Sequence, residues 1–140
     1  MSAAAAVLAV DPGRSKAGYA LVDAAGVPVA AGIEPIDGLE AVLRALLARH
    51  PAGAIALGRG TNAREIGRRL EALGLPIHLV DEYETTRRAR SLYFAEHPPR
   101  GWRRLVPLGL QLPPRPIDDY AAILIARRYL ARGPGGEPPT

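Results

Sequence analysis

The segment Val7-Leu8-Ala9-Val10-Asp11-Pro12-Gly13-Arg14-Ser15-Lys16-Ala17-Gly18-Tyr19-Ala20-Leu21-Val22 sets one carboxylate at the end of an otherwise apolar strand, just before a glycine-containing turn. The continuous apolar run from Val7 to Val10 reads as a fully buried strand, and Ala17 to Val22 as its partner. Pro12 fixes φ and Gly13 relaxes it, so the connection is short. Asp11 therefore ends a central strand. An ionised carboxylate buried there costs several kcal/mol unless a cation or strong donors compensate, which points to a metal ion or a phosphate. The alternative is an aspartate that caps the turn through its own backbone.

A third strand is expected at residues 27–33, reached through Ala24-Ala25-Gly26. Asp37 precedes Leu39, Val42, Leu43, Leu46 and Leu47, a helical spacing that ends near His50-Pro51. Residues 54–57 form a short apolar strand, followed by the loop Gly58-Arg59-Gly60-Thr61-Asn62. Thr61 or Asn62 is placed to cap a helix carrying Ile66, Leu70 and Leu73, which Gly74 ends. Ile77 to Val80 is expected as the next buried strand, and Thr85 or Thr86 starts a helix that runs to about Glu96 and stops at Pro98-Pro99. The proline- and arginine-rich stretch 97–116 shows no period and reads as a loop. A last helix spans Ile117 to about Leu130, with Ala121, Ala122, Leu124, Ile125 and Tyr129 available for burial. Three antiparallel opening strands, then strands alternating with helices, imply an α/β fold with a mixed five-stranded sheet flanked by helices.

A chain of 140 residues is expected to form one domain, here residues 1–132, with a breaker-rich tail at 133–140 too polar to fold. No cysteine is present, which excludes disulfides and thiolate-bound zinc and makes the cytoplasm the expected location. The apolar run 3–10 lacks a basic flank, so it is not read as a signal peptide, and no stretch reaches the length of a membrane span. The net charge of +4 is distributed unevenly. Arg87, Arg88, Arg90, Arg100, Arg103, Arg104 and Arg115 face a single acid, Glu96, within one stretch, a candidate polyanion surface. Trp102 among those arginines adds a ring on which unpaired bases could stack, or else anchors the loop to the core. Arg14 and Lys16, in the turn beside Asp11, are further candidates for phosphate contact. His50, His78 and His97 lack metal spacing.

Asp81 and Glu82 follow a strand expected to run parallel to the first, so Asp11 and Glu82 emerge on the same edge of the sheet. Asp118 lies in the first turn of the last helix, and Ala121, Ala122 and Ile125 share its face at i+3, i+4 and i+7. Acids converging there from distant segments supply hard oxygen ligands for a divalent ion, with positions left for water and phosphate oxygens. Asp119 is either a further ligand or an exposed acid serving the helix dipole. Strand alternation points Asp81 away from Glu82.

These residues resemble the ribonuclease H-like superfamily. The stretches that carry the likeness are Asp11-Pro-Gly-Arg-Ser-Lys-Ala-Gly, then Val80-Asp81-Glu82 with Thr85-Thr86, then Ile117-Asp118-Asp119-Tyr120-Ala121-Ala122. The nearest branch is the YqgF and RuvC-like nucleases, associated with maturation of the 16S ribosomal RNA precursor and with Holliday junction resolution. The resemblance implies a nuclease using Mg²⁺ or Mn²⁺, with Asp11, Glu82 and Asp118 as catalytic metal ligands, acting on structured RNA or branched DNA as a monomer or homodimer. Two departures stand out. Glu84 occupies the leucine position of the pattern Asp-Glu-Arg-Leu-Thr-Thr, and Gly58-Arg59-Gly60-Thr61-Asn62 replaces a proline-containing loop. RuvC-type resolvases place their middle acid on the fourth strand, where this chain has only Ala54 to Leu57, and that favours the YqgF branch. Two other classes fit parts of the pattern: a non-catalytic nucleic-acid-binding module, and an actin-like ATPase, whose two lobes would need a longer chain.

Overall fold

The computed structural model describes residues 6–60, 62–81, 85–98 and 118–132. Strands β1 (Ala6–Pro12), β2 (Lys16–Val22) and β3 (Pro28–Pro35) lead into helix α1 (Ile36–Arg49). Strand β4 (Ala52–Gly58), helix α2 (Ala63–Leu70) with a 3-10 turn at Glu71–Leu73, and strand β5 (Ile77–Val80) follow, before helices α3 (Thr85–Glu96) and α4 (Asp118–Arg132). The sheet order is β3-β2-β1-β4-β5. β2 is antiparallel to both β1 and β3, whereas β1, β4 and β5 are mutually parallel. The expected mixed sheet is thus present, with its parallel strands delivering their C-terminal ends to one edge.

Alternation along β1 explains how both faces are covered. Leu8 and Val10 join Leu21, Leu39, Leu43, Ile55, Leu57, Ile66 and Leu70 in the core beneath α1 and α2. Val7 and Ala9 face the other way, into a cluster with Ala20, Val22, Ala56, Ala122, Ile125 and Ala126 beneath α4. Large side chains on one face support α1 and α2, each buried leucine contributing about 2 kcal/mol. Small residues on the other face let α4 lie close against β1 and β2. A third cluster, Ala89, Tyr93, Phe94, Tyr120 and Ala121, joins α3 to α4.

Several local expectations change. β5 is not fully buried: it is the sheet's edge strand, and Leu79 is 42% exposed. Val27 precedes β3 rather than opening it, and with Val29 it is exposed on the opposite edge. α1 begins at Ile36, so Asp37 sits in its first turn, where a carboxylate favours the helix dipole, rather than ahead of the helix. Asn62 stands at the N-terminus of α2 with φ 70° and makes no capping bond. Gly74, at φ 77°, ends the α2 segment as its lack of Cβ allows. The loop and tail expectations at 99–116 and 133–140 fall outside the described residues. No helix among the described residues is long and apolar enough to cross a membrane.

Candidate metal centre at the sheet edge

Asp11 is half-buried near the end of β1 and pairs across the antiparallel ladder with Gly18 of β2. Directly opposed residues project on the same face of a sheet, and odd-numbered β1 residues face α4, so the Asp11 carboxylate belongs to the α4 face. Gly18 is the point at which α4 begins. A Cβ on Gly18 would run into the backbone carbonyl of Asp118 and come within 2.7 Å of its Cβ. Given a cross-strand Cβ spacing of about 5 Å, the Asp11 and Asp118 side chains start within about 8 Å of one another. Two carboxylates far apart in sequence thus share one edge because a glycine leaves room for the last helix.

A second contact fixes the start of α4. The Tyr120 hydroxyl donates to Glu96 Oε1 at 2.7 Å and lies 3.4 Å from His97 Nε2. The Tyr93 ring meets Tyr120 edge-on at 5.6 Å. The first turn of α4 is therefore held between β2 on one side and the end of α3 on the other. Asp119 accepts a hydrogen bond from the Tyr120 backbone N–H at 3.0 Å.

Burial pushes the Asp118 carboxyl above its usual 3.8, the neighbouring Asp119 charge adds to this, and Lys16 opposes it. The sign has a consequence for stability. A carboxyl that holds its proton more tightly when folded makes the native state lose stability as pH rises from the ordinary carboxyl value through the raised one. Asp118→Asn is therefore expected to melt a few degrees above the parent at neutral pH in chelator, with the gap closing in acid. Added Mg²⁺ should raise the melting temperature of the parent more than that of the variant. A variant that melts below the parent at neutral pH would contradict the reading of Asp118 as an acid whose charge is disfavoured by burial.

Arg14 lies in the turn between β1 and β2 and Lys16 opens β2, both exposed. Lys16 is near enough for its charge to act on Asp118. Asn62 reaches the same turn, its Nδ2 donating to the Gly13 carbonyl at 3.4 Å. The Arg59 backbone N–H donates to the Val80 carbonyl at 3.2 Å, so the loop after β4 is tied to the end of β5 as well. In register, Val10 pairs with Leu57, and Gly58 pairs with Val80. Asp11, Gly58 and Val80 are consequently level, and β4 presents no carboxylate at that height.

Asp81, just past Val80, is half-buried. Glu82, Glu84, Arg100, Trp102, Arg103 and Arg104 lie outside the described residues. Among the described residues no three histidine, cysteine, aspartate or glutamate side chains form a group able to hold a metal ion. The donor set that is described, two carboxylates of which Asp118 is partly buried, supplies the hard oxygens a divalent cation takes. Sequence reasoning missed Gly18, Asn62 and Tyr120. A lone glycine inside an apolar strand signals close backbone approach, so Gly18 was the one within reach. Nothing in the sequence pairs Tyr120 with Glu96.

A mixed five-stranded sheet in this order, with α1 and α2 on one face and α4 on the other, is a ribonuclease H-like fold. Among solved structures the chain is similar to Thermus thermophilus RuvC, with a TM-score of 0.51 and 16% identity over 96% of this chain and 99% of that one. It is also similar to T. thermophilus RuvC in complex with a Holliday junction substrate, with a TM-score of 0.56 and 19% identity over the same shares. At these identities the likeness is one of fold. No family model and no curated protein matches the sequence.

Proposed function

We propose that the chain is a divalent-metal-dependent nuclease acting on structured nucleic acid, with residues 1–132 as its catalytic domain. The observation that carries this reading is the meeting of Asp11 and Asp118 across Gly18. Asp11, Asp118 and Glu82 would hold Mg²⁺ or Mn²⁺, with Asp119 close enough to add charge. Such an ion, when bound, activates water and stabilises the leaving oxygen of a phosphodiester. The chain's own contribution is positional. β1 and α4 fix two carboxylates before substrate arrives, while Lys16 and Arg14 offer cations to a phosphate at the same turn.

The substrate assigned is precursor 16S ribosomal RNA, on the YqgF-like motif Asp81-Glu82…Thr85-Thr86 and on the absence of an acid from β4. A second reading, resolution of branched DNA, is favoured by the likeness to RuvC bound to a junction. Metal-stripped protein incubated with matched single-stranded RNA, duplex and four-way junction substrates, with Mg²⁺, with Mn²⁺ and with neither, tests both. Cleavage of none of them in either metal would sink the nuclease reading and leave a binding module.

The arginine-rich stretch is assigned to substrate binding. Arg100, Arg103 and Arg104 replaced together by alanine should weaken binding and flatten its salt dependence. Three lost phosphate contacts lower the slope of log K against log salt by about two units on single strands, because fewer condensed counterions are released. Turnover at saturating substrate should change little. An unaltered slope would make the stretch an ordinary solvated loop. Trp102→Ala should weaken single-stranded substrates selectively if the ring stacks; an equal loss on all substrates with a lower melting temperature identifies an anchor.

A further inference from the structure

On the face away from Asp118, an open groove of about 670 Å³ runs between α2 and the edge strand β5. Its floor is aliphatic, formed by Leu57, Ile77 and Leu79, and its wall carries Arg59, Arg64 and Arg68, all exposed. Arg64 and Arg68 are one helical turn apart, a like-charge pair that weakens a helix left to itself. The contrast with nearby arginines is informative. Arg44 pairs with Glu40 at 2.8 Å and Arg69 with Glu65 at 3.2 Å, whereas neither Arg64 nor Arg68 has an ion pair with a described residue.

The backbone of β5 adds a third feature. The carbonyls of Pro76 and Val80 are turned toward β4, accepting from Ile55 and Arg59. Alternation along a parallel strand therefore turns the N–H and C=O groups of Ile77 and Leu79 to the outer edge of the sheet. The residues whose side chains floor the groove are those whose backbone groups face the edge.

We infer that this groove takes an extended acidic peptide, added to β5 as a sixth strand. Main-chain bonds to Ile77 and Leu79 would supply the ladder, and the acidic side chains, alternate along the strand and so all on its groove face, would lay their methylenes on the floor and their carboxylates against Arg64 and Arg68. Glu71 lines the same groove and disfavours an acidic side chain beside it, which draws the peptide's charge toward Arg59 and Arg64. A nucleic-acid strand accounts for the arginines alone. Strand-binding grooves stack bases on aromatic rings, and this floor has none.

The test uses the whole chain in chelator, so it does not depend on cleavage or on the metal centre. The probe is a fluorescein-labelled peptide of about eight residues alternating glutamate with valine, followed by anisotropy. Saturable binding is expected, weakened about tenfold by Arg64→Glu with Arg68→Glu, exposed positions that leave the core untouched. Replacing glutamate by lysine in the probe, or methylating alternate amide nitrogens, should abolish binding. No saturation by about 1 mM, or equal affinity for the lysine or methylated probes, would overturn the inference. So would a charge-reversal variant that keeps the peptide but loses a labelled single-stranded oligonucleotide, which would make the groove a nucleic-acid surface.

Discussion

Asp11→Asn is expected to remove metal-dependent cleavage while nucleic-acid binding and the fold persist. The exchange keeps the shape and one acceptor oxygen of a half-buried side chain but takes away the charge that a divalent cation needs from a hard ligand. Losing about 4 kcal/mol of transition-state stabilisation corresponds to about a thousandfold in rate. Asp118→Asn and Glu82→Gln should act alike. Because ligands of one centre work as a unit, the Asp11→Asn with Asp118→Asn double variant should lose little beyond either single one. The decisive measurements are single-turnover cleavage in Mn²⁺ and, on the same preparation, substrate affinity in chelator. Wild-type cleavage by Asp11→Asn would remove the proposed mechanism, whatever the affinity. Cleavage lost together with affinity would instead assign Asp11 to holding the turn that meets the substrate.

What was legible in the sequence follows physical range. The strands of the parallel core and the helices of the described residues were within reach because apolar periodicity is a local signal, and Gly74 and Pro98 punctuate it. That β5 runs parallel to β1 was also legible, since a helix joins β4 to β5, and so was the packed face of α4, on which Ala122 and Ile125 are spaced with Asp118. Burial of β5 was not legible: Ile77-His78-Leu79-Val80 is as apolar as a central strand, and only the sheet order makes it an edge. Asn62 misled for a different reason. Its type and position suit a helix cap, yet the backbone adopts a left-handed φ there, and the side chain is drawn to Gly13, 49 residues away in sequence. Asparagine tolerates that conformation better than most residues, so the same chemistry that suggested a cap permits the alternative.

The distance between Asp11 and Asp118 rests on the absence of a side chain at Gly18, so Gly18→Ala should damage the centre more than its size suggests. The new methyl would meet the Asp118 backbone, which cannot rotate aside. α4 must then shift at its first turn, against the hold of Tyr120 on Glu96. Overpacking of this kind costs about 1–3 kcal/mol, within the stability of an ordinary domain, so the variant should fold with a lowered melting temperature. Cleavage should fall further than unfolding explains, because displacing a reacting group by about 1 Å can cost about a hundredfold. Gly32→Ala supplies the comparison. Its methyl would press on the Tyr19 ring, 2.6 Å from the hydroxyl oxygen at the far end of a side chain that can swing away. Gly32→Ala should accordingly lose some stability and keep its cleavage rate. Assayed well below both melting temperatures, equal rates for the two variants would mean that the start of α4 does not set the chemistry, and Asp118 would lose its place in the centre. A large deficit confined to Gly18→Ala, with Mg²⁺ no longer raising the melting temperature, would tie the close approach of β2 and α4 to metal binding itself.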